Sequence, residues 1–144
     1  MQIWRYAFAA TAVLFVAGVV VQILLAGWGV TGLGGQGMNN HIQFGYWLSL
    51  APVIPLILAW PARAGRQTVA MCAVLLVITF VQTLLPSTAP GRANIPWIAA
   101  LHPITAFVVL GLGIMVARRA VALARSEPVP AAAAEEPASA TPQA

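Results

Sequence analysis

Two histidines, His41 and His102, are the only ones in a chain of 144 residues, and each follows a near-copy of one short string. "VQILL" spans Val21 to Leu25 and "VQTLL" spans Val81 to Leu85, so Gln22 precedes His41 by nineteen residues and Gln82 precedes His102 by twenty. A neutral imidazole carries a nitrogen lone pair that a transition metal accepts, and two imidazoles brought together can hold one ion from opposite sides. No carboxylate shares that task, because the only acids are Glu127, Glu135 and Glu136. The single cysteine, Cys72, sits inside an apolar run, where a small buried hydrophobe is the expected role, and no internal disulfide is available to it.

The elements that must position these histidines follow from composition. The chain is 60% hydrophobic and 7% charged, more apolar surface than a soluble domain of this size hides, so a lipid bilayer is the expected surrounding. Four apolar stretches of about twenty residues, each long enough to cross a bilayer at 1.5 Å per residue, are predicted as helices. They lie near Tyr6 to Ala26, His41 to Trp60, Gln67 to Leu85 and Trp97 to Ala117. The expected fold is therefore all-α, an integral membrane four-helix up-down bundle built from two repeated helical hairpins. It occupies residues 1–125, with residues 126–144, rich in Pro, Ala and Glu, as a disordered tail.

The first stretch is expected to stay as a helix, since its apolar core outruns a secretory leader. Arg5, Arg63, Arg66, Arg118, Arg119 and Arg125 flank one set of ends and only Arg92 the other. The positive-inside rule then puts a multi-pass protein in the cytoplasmic membrane with both termini cytoplasmic. Trp4 and Trp60 fall at the inner interface and Trp28 and Trp97 at the outer one. The arginines flank apolar runs and form no basic stripe with interleaved aromatics, which argues against nucleic-acid binding. The first outer connection, "GWGVTGLGGQGMNN", permits either close backbone approach or simple flexibility.

With this topology the second and fourth helices run in the same direction, and both histidines sit near their outer ends. The two helices are diagonal, roughly 11 to 14 Å apart, a gap that suits a porphyrin ligated on both faces. Gly45 and Ala106, one turn beyond each histidine, leave room for a flat ring. Arg92 is positioned to pair with propionates or with lipid phosphate. Gln22 and Gln82 are expected to hydrogen-bond across the bundle, Pro52 and Pro55 to interrupt the second helix, and Pro103 to kink the fourth.

The stretches "VVQILLAGWGVTGLGG", leading into His41, and "FVQTLLPSTAPG", leading to "ALHPITAF", resemble the two hairpins of a four-helix half of the haem A synthase family. The pattern is also similar to small four-helix bacterial membrane proteins of the domain of unknown function DUF6220. The resemblance covers most of residues 6–117 and implies a haem b held between His41 and His102. It does not imply synthase activity. In the catalytic half of those enzymes an acidic residue shortly precedes the first histidine, where this chain has "GMNNH", and the paired loop cysteines are missing.

The expectation is a small cytochrome-like membrane protein with haem b as cofactor, iron ligands His41 and His102, no catalytic residue, and a role in electron transfer or haem handling with an unidentified redox partner. The competing expectation is a cofactor-free structural or accessory membrane subunit whose histidines only hydrogen-bond. A carrier of divalent metals or protons falls behind both, because no carboxylate lies between the two interfaces.

Overall fold

The computed structural model describes residues 1–31, 35–85 and 96–126. Five helices follow in order: α1 (Gln2–Val30), α2 (Gln36–Leu50), α3 (Val53–Ala59), α4 (Arg66–Leu84) and α5 (Pro96–Arg125). The described residues contain no strand. α2 and α3 belong to one continuous span, so four helical stretches, Gln2–Val30, Gln36–Ala59, Arg66–Leu84 and Ala100–Arg125, are long and apolar enough to cross a membrane.

The break between α2 and α3 lies where Pro52 has no N–H to donate. There the ladder tightens to three-residue steps, Ala51 N–H bonding Leu48 O and Ile54 N–H bonding Ala51 O. Pro55 sits inside α3 and Pro103 inside α5 without ending either helix. The α3–α4 turn closes with Arg63 at φ 56° and Gly65 at φ 78°, and Ala64 N–H returns to Ala59 O. A left-handed residue just past the helix end is the usual way to turn back, although glycine normally fills that place.

The helices form a ring: α1 packs on α2, α3 and α5, and α4 packs on the same three neighbours. At one end Gln2 Nε2 donates to Ala124 O, Arg5 donates to Ser126, and Arg119 donates to Gln67 Oε1. The start of α1, the end of α5 and the start of α4 therefore share that end, and successive spans alternate in direction. Arg5, Arg63, Arg66, Arg118, Arg119 and Arg125 all gather there. Arg92 and residues 127–144, to which the sequence assigns a propionate partner and a disordered tail, lie outside the described residues.

A single stripe on each helix faces the axis. On α1 it comprises Phe8, Ala12, Phe15 and Val19, and on α4 it comprises Thr68, Cys72, Leu75 and Thr79, all buried. Steps of four and three residues are the spacing of helices packed nearly antiparallel. Each α4 member stands sixty positions after its α1 counterpart, and the next step in both stripes is a glutamine, Gln22 and Gln82. Ala59 from the second span, Ala62 from the α3–α4 turn, and Val109, Val116, Ala117, Ala120 and Ala124 from α5 join them in the core. Small side chains dominate it, which lets the backbones approach closely. The outside is as apolar as the inside: Leu14 is 69% exposed, Trp47 74%, Trp60 82% and Phe107 69%.

The glycine-rich connection is mostly helix. α1 continues to Val30 and α2 begins at Gln36, earlier than the histidine at which the sequence reading starts that helix. A Cβ on Gly37 would lie 2.8 Å from Gly29 N, and one on Gly29 would lie 2.9 Å from Met38 N. Of the two roles open to this segment, close backbone approach is the one observed at these two positions.

Candidate functional site

At the end opposite the arginines, the axial stripes terminate in a polar layer: Gln22 on α1, His41 on α2, Gln82 on α4 and His102 on α5. His41 lies in the second turn of α2 and His102 in the second turn of α5. Early in a helix, a side chain on the axial face leans over the preceding turn and toward the bundle end.

Glutamine and histidine clasp each other in the same way twice. Gln22 Nε2 donates to His41 O at 2.8 Å, and His41 Nδ1 lies 3.0 Å from Gln22 O. Gln82 Nε2 donates to His102 O at 2.9 Å, and His102 Nδ1 lies 3.1 Å from Gln82 O. In each pair a side-chain N–H reaches the partner's main-chain carbonyl, in both directions. A carbonyl oxygen only accepts, so each Nδ1 carries the hydrogen and each neutral ring keeps its lone pair on Nε2.

The two imidazoles meet across the α2–α5 diagonal. Their centroids are 6.0 Å apart and their planes stand at 86°. The rings are therefore neighbours set edge to face, one from each of the two even-numbered spans. Two nitrogens alone do not make a tetrahedral zinc site or an oxygen-rich calcium site. Among the described residues no group of three or more His, Cys, Asp or Glu side chains converges.

Gly45 and Ala106 are both half-buried, each one turn beyond its histidine. A Cβ on Gly45 would stand 2.7 Å from Gln22 Nε2, so the missing side chain makes room for the carboxamide that clasps His41.

The clasps differ in one respect that sequence reasoning missed. Thr105, three residues after His102, hydrogen-bonds Gln82 Oε1 through its hydroxyl. Phe44 holds the matching place after His41, and Gln22 Oε1 is buried with no partner among the described residues. The sequence signal was present: a hydroxyl residue at the third position after one histidine and none after the other. Gln82→Leu is therefore expected to destabilise the bundle by about 1 to 2 kcal/mol, since two bonds are lost. Gln22→Leu should cost less than about 0.5 kcal/mol, because one lost bond is offset by removal of a buried unpaired acceptor. Unfolding in mild detergent measures both, and equal losses would remove the distinction between the clasps.

The chain matches no family model, no curated protein and no solved structure.

Proposed function

We propose that this chain is a small cytochrome-like membrane protein that holds one haem b between His41 and His102, with electron transfer or haem handling as its role. The observation that carries the reading is the pair of histidine rings with centroids 6.0 Å apart, each with its Nδ1 engaged by a glutamine main-chain carbonyl so that Nε2 keeps the lone pair. The resemblance of the two Gln-Leu-Leu hairpins to a four-helix half of the haem A synthase family, or to DUF6220-like proteins, points the same way.

A bilayer is the setting this reading gives the bundle. Four apolar spans, an outer surface studded with exposed Leu, Trp and Phe, and the gathering of all six described arginines at one end support it. In the cytoplasmic membrane that end, with both termini, faces the cytoplasm, and the histidine layer lies toward the outer face. The sixty-position match of the α1 and α4 stripes and the doubled clasp support an origin in two copies of one hairpin.

Each residue of the layer then has a task. His41 and His102 would hold the iron through Nε2, while the Gln22 and Gln82 carbonyls hold the tautomer and aim of the rings. The carboxamides tie the histidine backbones to the neighbouring helices. Haem held by these two residues would supply a one-electron couple. With no carboxylate before Glu127, the layer lacks the acidic residue that the resembled synthases carry shortly before the first histidine, which agrees with a carrier more than with a synthase.

Expression with ample haem supply, extraction in mild detergent and absorbance spectra of oxidised and reduced protein test this reading. The expected result is a Soret band with sharp α and β bands on reduction. A folded, colourless preparation that also refuses added haemin would sink it, leaving the structural subunit, for which the clasps serve only to join helices.

A further inference from the structure

We propose that the groove between α1 and α5 at the arginine end is a binding site for one anionic phospholipid, its phosphate taken by Arg118 and Arg125 and one acyl chain lying along the seam. The groove has a volume of about 430 Å³ and is walled by Val13 and Val16 of α1 and by Ile114, Ala117, Val121 and Ala122 of α5. Its only charged lining is Arg118 and Arg125, seven residues apart on one helix. That spacing is two turns, about 10 Å, and sets both guanidinium groups on the same face of α5, within reach of one headgroup between them.

Charge complementarity selects the occupant. Arg118 and Arg125 are exposed and make no hydrogen bond among the described residues, whereas Arg5 and Arg119 are already engaged, with Ser126 and Gln67. No acidic side chain precedes Glu127, so the described part of this end holds cations with no carboxylate to answer them. An apolar trough with a pair of arginines on one face matches an acyl chain below a phosphate, because guanidinium binds phosphate oxygens through paired N–H donors. The same seam closes the helical ring through the Gln2 bond to Ala124 of α5 and the Arg5 bond to Ser126 just beyond it, so a lipid lying there would brace the join of the first and last helices.

The proposal rests on the membrane reading above and is separable from it. The full chain in detergent is titrated with phosphatidylglycerol or phosphatidylcholine, with retained lipid read by native mass spectrometry and thermal unfolding followed in parallel. The expected result is a preference for phosphatidylglycerol that falls by on the order of tenfold in the Arg118→Gln, Arg125→Gln double variant. The Arg63→Gln, Arg66→Gln double variant, altered at the other exposed arginine pair, which lines a groove of about 470 Å³ beside the α3–α4 turn and away from the α1–α5 seam, keeps that preference. Equal retention of both lipids by the unaltered chain overturns the site. Equal loss in the two double variants also overturns it, in favour of diffuse surface attraction. Failure of the membrane reading has a different signature, in which neither lipid is retained and the chain is recovered without detergent.

Discussion

Replacing His102 with alanine is expected to lower haem retention by on the order of 100-fold or more and to leave whatever remains without a low-spin spectrum. The estimate follows from the known weight of lesser changes. Loss of a partner that merely orients a metal-bound histidine costs roughly 10- to 100-fold in affinity, and here a ligand itself is removed. His41→Ala should behave alike, because its Nε2 is prepared by an equivalent clasp and its ring stands 6.0 Å from that of His102. Both variants also lose one Nδ1–H bond, worth about 1 kcal/mol, so some loss of stability accompanies the spectral change. Added imidazole separates the two effects. It should enter the space vacated by the side chain and restore the six-coordinate bands, which unfolding alone does not allow. Full retention of those bands by either variant without imidazole would show that the iron takes its ligands elsewhere.

The helices were legible because lipid-length apolar runs are hard to mistake, and the histidine pair was legible because a repeat carries phase. Gln22 and Gln82 fix equivalent points on two helices, and nineteen or twenty residues later each chain reaches its histidine. The stripe that holds the bundle together was not legible from hydrophobicity. Leu14 and Leu24 face outward while Ala12, Ala59 and Ala120 face the axis beside Phe8 and Phe15, so apolar character does not mark the buried side. In a water-soluble helix the polar face would have revealed the period; here both faces are apolar and the contrast vanishes. The clasp was half legible. Glutamines near helix ends suggest hydrogen bonding across the bundle, but their partners are the histidine main chains, a choice that depends on rotamer and helix separation and leaves no trace in composition.

The glycine segment before His41 was ambiguous for a related reason, since glycine serves flexibility and close contact equally well, and the structure separates its members. Gly37→Ala puts a Cβ 2.8 Å from Gly29 N and 3.0 Å from the Trp28 carbonyl carbon, both main-chain atoms of a packed helix that cannot swing aside. Alanine improves helix propensity by about 1 kcal/mol, while overpacking of this kind costs about 1 to 3 kcal/mol, so the clash is expected to prevail by about 1 kcal/mol and by more for Gly37→Val. Gly27→Ala supplies the contrast, for nothing lies within 4 Å of its added Cβ and the propensity gain should stand alone. Detergent unfolding should therefore move in opposite directions for two identical substitutions ten residues apart. If both stabilise, the α1–α2 crossing is looser than described. The consequence reaches the site, because Gly37, His41 and Gly45 follow one another at four-residue steps and share the face of α2 that meets α1. Forcing α1 and α2 apart at Gly37 pulls on the Gln22–His41 clasp one turn away, so Gly37→Val should weaken His41 ligation while the Gln82–His102 clasp, built on α4 and α5, stays closed.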